Sequence, residues 1–588
     1  MQTHYKFKPL IAALLIAPGL VSAENSLNNI VVTANQVEQD LEKVTSDVTV
    51  ITAAELRAKR ANSLTEILNQ VNGLSFTQNG GLGTSASLYT RGSDNQRTLI
   101  LIDGVRAQDP SNTSGANLSD LMVANIERIE IIKGAQSGVW GSDAAAGVIN
   151  IITKQSTDTQ INVEHGAYNT GKSAISTGFK LGDARLFVNA SHLTSEGFSA
   201  QAPVDENIDQ YEKDGYTHSN VALRAVVPIA KNQQLTLAHN ATEALANYDS
   251  WGAPNAIKRS KNRTDLSQIS YQIADTKLTA EQSVFSSKQL DETAPDIVRG
   301  QTRSLQLTQT FNDFLLGAAY SSNEANSDKY SSFMEEQTYT RSAFANHSTR
   351  WRYLTFNEAL RYDDYSNFGS EVTGKLGVKL DITTHQSLAV NYGTAYNAPN
   401  IIQILNPWGT ANPDLTPEKS AEASISYALH GLSLTYFDKK VEDLIKWSTG
   451  SQYQNVEGTT QIKGVEAEYK RRFNVWGLGV NYTHLNTEDA NGDPLARRPD
   501  NQIGLDLNWY PNDQLDINLN GQYIATRGGD VHTATENYSV WNGVINYQID
   551  PTVSAYLKLN NLFNTYYQVV EGYATAERSA YLGLNARF

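Results

Sequence analysis

Apolar and polar residues alternate along most of the last four hundred positions of the chain. Ile503, Leu505, Leu507 and Trp509 are separated by Gly504, Asp506 and Asn508. After Tyr510-Pro511-Asn512-Asp513, which reads as a turn, Leu515, Ile517, Leu519 and Tyr523 alternate with Asp516, Asn518, Asn520 and Gln522. A period of two places one set on each face of a strand. One face is apolar, the other carries carboxylates and amides. A soluble sandwich buries such an apolar face, whereas a membrane barrel turns it to lipid and keeps a polar lumen.

The pattern changes near residue 154. Before it, helix and strand are mixed. Ser63-Leu64-Thr65-Glu66 is a capping box, Leu64, Ile67, Leu68 and Val71 recur at helical spacing, and Gly73 is placed to stop the helix. Thr98 to Ile102, Ile126 to Ile132 and Val148 to Ile152 are short apolar strands, and Asp103-Gly104 is a tight-turn dipeptide. This predicts a compact α+β unit of ordinary domain size. After Lys154 nearly every segment is strand, turn, strand. Long polar stretches such as Glu196 to Asn220 alternate with short ones such as Asn512 to Gln514. Long loops on one rim and short turns on the other are the asymmetry of outer-membrane barrels. At about 20 residues per strand with its share of connections, residues 155–588 make roughly 22 antiparallel strands. A lumen of that size requires a plug, and the α+β unit supplies it. The fold expected is an all-β membrane barrel closed by an N-terminal plug, with domains at 41–154 (plug) and 155–588 (barrel).

Composition supports export. Charged residues are 19% of the 588, and mean hydropathy is −0.41. One apolar run stands out, Leu10 to Ala17, preceded by His4, Lys6 and Lys8 and followed by Pro18-Gly19 and Val21-Ser22-Ala23. These are the parts of a secretory signal over 1–23, and the run is about half the ~20 residues of a spanning helix. A mature chain that stays in a membrane without helices must be a closed barrel. The chain has no cysteine, so ladder hydrogen bonds rather than disulfides must stabilise it. A net charge of −15 argues against nucleic acid. No catalytic spacing emerges. Gly80-Gly81-Leu82-Gly83 is not followed by Lys-Ser/Thr, Gly134 to Gly147 holds no nucleophile elbow, and the ten histidines show no ligand spacing. Both glycine-rich stretches read as turns, and neither an enzyme nor a redox cofactor is expected.

Several motifs carry a family resemblance. Asn29-Ile30-Val31-Val32-Thr33-Ala34, within a segment taken as 24–40, resembles the energy-coupling (TonB) box of TonB-dependent outer-membrane receptors. Leu88-Tyr89-Thr90-Arg91-Gly92, Leu101 to Arg106, Glu127 to Gly134 and Gly141 to Thr153 resemble the plug signatures, with Ala135 where Pro is usual and Trp140 where Tyr is common. Phe588 matches the C-terminal aromatic. Physically, the β-branched stretch 29–34 can add as a strand to a partner's sheet edge; it also reads as a first plug strand. Within the family, Gln78-Asn79-Gly80-Gly81 and Asn247-Tyr248-Asp249 resemble the vitamin B12 (cobalamin) receptors. Ala398-Pro399-Asn400, Asn412 to Lys419 and Asn561-Leu562-Phe563 are shared more widely.

The resemblance implies a monomeric receptor in the outer membrane of a Gram-negative bacterium. It would be embedded in lipid and lipopolysaccharide, bind cobalamin outside and import it with energy passed on by TonB. A ferric siderophore or another corrinoid is the alternative ligand, and a passive porin the alternative class. By the same resemblance calcium is held by Gln210, Glu212, Asp214, Tyr248 and Asp249, oxygen donors of a kind that suits this ion. Ser199 stands near one missing carboxylate position, Lys258 and Arg259 near another. The plain alternative is a solvated acidic loop. Ser85, Ser87, Asp94, Asn112 and Thr113 on the plug, with Ser250 and Arg497 on the barrel, fall where cobalamin is contacted. The plug apices, Leu82 to Ser87 and Asn112 to Asn117, carry no cation, unlike a pocket for a negatively charged ferric catecholate.

Overall fold

The computed structural model describes residues 31–32, 35–204, 206–250, 252–292, 296–328, 334–448, 450–525 and 537–588. The expected signal sequence, Asn29, Ile30, Thr33 and Ala34 lie outside them. Among the described residues, twenty-two antiparallel strands form one closed barrel. The first, Gln160–Gly166, pairs with the last, Ser579–Arg587. Phe588 and Thr159 extend the seam by exchanging backbone bonds of 2.9 and 3.1 Å. Closure leaves no open edge in lipid.

Alternation sorts the side chains as the sequence predicts. Ile503 and Trp509 face outward, while Asp506 turns inward and pairs with Lys59 of the N-terminal unit at 2.9 Å. Phe311, Phe314, Trp351, Phe473 and Trp476 are exposed beside the short turns, and Trp476 stacks on Trp509 with centroids 5.5 Å apart. This ring of aromatics marks one membrane interface, and the short turns beside it are those of the periplasmic rim of such barrels. The turn expected over Tyr510 to Asp513 is corrected. The strand Asn501–Asn512 runs on to Asn512, with a register shift between Trp509 and Asn512. Pro511 sits in that irregularity, where it owes no ladder bond.

The N-terminal unit fills the lumen. Its sheet has the order Val48–Ile51, Ile126–Lys133, Gly147–Thr153, Thr98–Ile102, Val105–Arg106, and only the pairing of Thr98–Ile102 with Gly147–Thr153 is parallel. Leu64, Leu68, Ile100, Ile129 and Ile149 form its core, which continues onto Leu266 and Phe285 of the barrel wall. The helix read from Leu64 to Val71 is shorter, Leu64–Leu68. Ser63 accepts from the Glu66 amide at 3.3 Å, but Glu66 accepts from Asn62 rather than closing a box. The complete capping box is at Thr52 and Glu55, opening the helix Ala53–Lys59. Gly134 to Gly147 is more than a turn, since it includes the short helix Ser137–Trp140.

Candidate functional site

Two assemblies stand out, one at the outer rim and one between plug and barrel. At the rim, Glu212 and Asp214 come from the long loop after Ala184–Ser195, and Asp249 from the end of Gln233–Ser250. The pairing of that strand is irregular between Tyr248 and Ser250. Such a bulge re-aims a side chain, and Asp249 lies there, buried. Carboxylate oxygens of the three residues lie within 4.8 Å of one another. Asp214 Oδ2 accepts from the Ala200 amide at 2.7 Å, and Asp249 Oδ2 from the Gln201 amide at 2.8 Å. Glu212 Oε1, Asp214 Oδ1 and Asp249 Oδ1 are buried without a hydrogen-bond partner. Burial, then the Asp249 charge, pushes the Glu212 carboxyl up to about 7. Burial and both neighbouring carboxylates push Asp214 up to about 7, against the Ala200 amide. Three converging acceptors with spare oxygens, Glu212 and Asp214 with raised pKa values, are the kind of donor set that a hard divalent cation would take.

The other expected ligands are arranged differently. Gln210 is exposed at the end of the turn Ile208–Gln210. The Tyr248 phenol donates to Gln289 at 2.6 Å. Ser199 Oγ is 3.1 Å from Asp249 Oδ2, a hydroxyl where a fourth carboxylate was sought. Lys258 and Arg259 pair with Glu292 and Asp291 at 3.2 and 2.7 Å. Their charges are thus engaged with the next loop.

The segment 198–202 links the carboxylates to the plug apex. A Cβ on Gly80 would lie 2.8 Å from the Ala200 Cα, and one on Gly83 would lie 2.2 Å from the Tyr216 ring. Both glycines also have positive φ, +115° and +79°. Only glycine permits that turn so close to the loop. Ser85 is exposed beside it, and Ser87 is half-buried in Ala86–Thr90. Ser250 gives its carbonyl to Gln201 at 2.7 Å. Asn112 and Thr113 lie on the second apex, where the Asn112 carbonyl accepts from Asn400 at 2.9 Å. Asp94 is not a free acceptor, because it pairs with Arg97 at 2.7 Å and with Arg498. Burial alone would raise its carboxyl, but these guanidiniums hold it below its usual value. Arg498, which sequence reasoning passed over for Arg497, also donates to Gly92 at 3.0 Å and covers the Tyr89 ring at 4.3 Å. Arg497 has φ +69°, and this twist turns its neighbour toward the plug.

The second assembly is buried except at Asp47, which is partly exposed. Arg91 donates to Glu466 and Glu422 of the barrel, each at 2.8 Å, and to Asp47 at 2.6 Å. Lys133 reaches Glu466 at 2.7 Å and Asp47 at 3.1 Å. Gly73, read from sequence as a helix stop, makes room here, since a Cβ would lie 2.2 Å from Glu466 Oε1. Val31 and Val32 pair with Asp40 and Gln39 in a small sheet of their own.

Comparison with known proteins agrees with this architecture. Residues 40–148 match the TonB-dependent receptor plug domain, and 151–562 the TonB dependent receptor-like β-barrel. A protein named vitamin B12 transporter BtuB from Vibrio cholerae is 28% identical over 95% of both chains. One of the same name from Vibrio vulnificus is 27% identical over 98% of both. Among solved structures, a mutant ferric enterobactin receptor, PfeA, of Pseudomonas aeruginosa superposes with TM-score 0.79 at 17% identity, over 93% of this chain and 100% of that one. The siderophore receptor PirA of Acinetobacter baumannii gives 0.77 at 17%, over 92% and 98%. These structures share the fold, at identities too low to carry a ligand. The chain belongs to the TonB-dependent receptors, transporters rather than enzymes, which reside in the outer membrane of Gram-negative bacteria.

Proposed function

We propose that the receptor binds cobalamin at its outer face and imports it, with calcium ordering the loops that complete the pocket. The likeness to B12 transporters over nearly the full length of both chains carries this reading. The plug apices support it. Ser85, Ser87, Asn112 and Thr113 offer neutral donors and acceptors to an amide-fringed corrin, and the nearby Arg97 and Arg498 are already paired with Glu418 and Asp94. A ferric catecholate would meet no free cation on the apices themselves. Glu212, Asp214 and Asp249 would hold calcium, whose charge lets the three carboxylates ionise together. That would fix the 198–202 segment against Gly80 to Gly83 and reduce the ordering cost of binding. Coupling through Asn29 to Ala34 to TonB would supply the work of moving the plug. Equilibrium binding to the purified protein, with calcium and with chelator, tests the reading. Cyanocobalamin should bind and a ferric catecholate siderophore should not. The reverse preference would replace cobalamin with iron as the cargo.

A further inference from the structure

The lipid face of the barrel is not covered evenly by large side chains. On Gln386–Asn397, Glu418–Leu429 and Leu432–Ser448 the outward positions carry Val390, Tyr392, Ile425, Leu434 and Tyr436. Across Ile297–Phe311, Phe314–Ser327, Met334–Trp351 and Leu354–Tyr365 the apolar band is hollowed instead. Register aligns Leu307, Ala318, Ala343 and Tyr362 in one row, and Leu316, Ala345 and Leu360 in the next. The three alanines floor a groove of about 620 Å³, and the larger side chains bank it. The wall beneath is filled from the lumen side. Phe344 is buried there, and a Cβ on Gly317 would lie 2.1 Å from its Cζ.

At the outer end of this groove the same face becomes cationic. The next row toward the long loops aligns Leu305, Tyr320 and Arg341, and the row beyond it Arg303, Ser322 and Tyr339. Alternation puts these side chains on the face of Leu307 and Ala343, and both arginines are exposed. Tyr320 and Tyr339 stack with centroids 6.3 Å apart, and the Arg341 guanidinium covers the Tyr339 ring at 5.3 Å. Among the described residues neither arginine forms an ion pair, although Asp364 is the cross-strand neighbour of Arg341. Phe311 and Trp351, of the aromatic ring, close the strands that carry Arg303 and Arg341. At about 3.3 Å per residue on strands tilted by about 40°, the two arginines stand roughly 20 and 25 Å above that ring. That is the height of the apolar band, so the arginines meet the outer headgroup layer while the groove lies among acyl chains.

We propose that this face holds one lipid of the outer leaflet, a phosphorylated glycolipid of the lipopolysaccharide type. Its phosphates rest on Arg303 and Arg341, and one acyl chain lies in the alanine groove. Position selects the leaflet, since the cations are on the long-loop side and the groove runs from them toward the short turns. A guanidinium presents paired N–H donors that match phosphate oxygens. The two arginines are two strands apart, roughly 10 Å across the sheet. That spacing suits a head with two phosphates, whereas a phospholipid with one would engage a single arginine. Ser322, between them, offers a hydroxyl to the sugar. None of these side chains faces the lumen, so lipid binding is independent of the solute carried.

The full-length receptor, delipidated in detergent, is titrated with bisphosphorylated lipid A and followed by native mass spectrometry. The parent should retain one lipid A per barrel. Arg303→Ser combined with Arg341→Ser should weaken binding by about tenfold or more, the loss expected when charge-assisted bonds are removed. Ala318→Leu combined with Ala343→Leu fills the groove and should weaken binding with the charges intact. Heat-modifiable mobility on gels, which reports a closed barrel, should be the same in parent and variants. Monophosphorylated lipid A should bind the parent more weakly than the bisphosphorylated form, a comparison that needs no substitution. Phosphatidylethanolamine bound as tightly as lipid A overturns the assignment, as does lipid A binding unchanged in either closed variant. A parent that binds no lipid A but forms dimers, which the groove-filling pair abolishes, would make this face an interface between copies and overturn it as well.

Discussion

Glu212, Asp214 and Asp249 each leave one buried oxygen without a partner, a costly arrangement unless a cation completes it. Asp249→Ala should therefore remove the calcium dependence of cobalamin affinity. Titration calorimetry in calcium and in chelator should give equal dissociation constants for the variant and different ones for the parent. A calcium effect that survives the substitution would reduce these residues to a solvated acidic loop. A further buried carboxylate, on the plug, also has a raised pKa. Burial pushes Asp120 of the plug up to about 6, although Asn262 and Tyr216 donate to it at 3.0 and 3.1 Å. The unfolded value is about 3.9, so the folded protein holds this proton more tightly. Its contribution to stability is then full below about pH 4 and declines as pH rises through about 6. Asp120→Asn should flatten the change of melting temperature across that window, and an unaltered profile would assign the titration elsewhere. At this scale the sequence was partly legible. Acidic residues in a polar loop could be seen, but the bulge that aims Asp249 and the twist at Arg497 that presents Arg498 depend on strand register.

Elements were easier to read where one face meets lipid. Alternation over Ile503 to Tyr523 identified both strands, because a slip of one residue would turn every side chain to the wrong face. The end of the first strand was misjudged because Pro511 is tolerated at a bulge. The capping box at Thr52 and Glu55 was present in the sequence and overlooked, whereas the one at Ser63 closed only by half. No local pattern could reveal that Arg91 meets Glu466, since 375 residues separate them. Removing one partner from such a buried cluster costs about 3–5 kcal/mol, because the remaining charges lose their compensation. Glu466→Ala should therefore loosen the plug, with faster hydrogen exchange over residues 91–133 and an intact barrel. Exchange as slow as in the parent would show that the apolar core alone holds the plug. For the coupling segment, deleting Asn29 to Ala34 should abolish uptake and spare surface binding, because those residues precede the plug fold. Normal uptake by that deletion would remove the coupling role.

Across the whole molecule, a lipid-facing barrel is stitched to its plug around most of its circumference, with one polar cavity between them. The carboxylate trio sits above the plug apex, and Gln36 bonds the barrel wall and the plug at the other end. On the proposed function, ligand recognition at the top and work at the bottom are held in one body. The central claim is energised import of cobalamin, and radiolabelled cyanocobalamin tests it most directly. The receptor is expressed in Gram-negative cells lacking their own cobalamin receptor, and uptake is followed with and without a proton uncoupler. The account predicts accumulation that stops with the uncoupler while surface binding remains. Cells that accumulate no cobalamin, but take up a ferric siderophore under the same conditions, would contradict it.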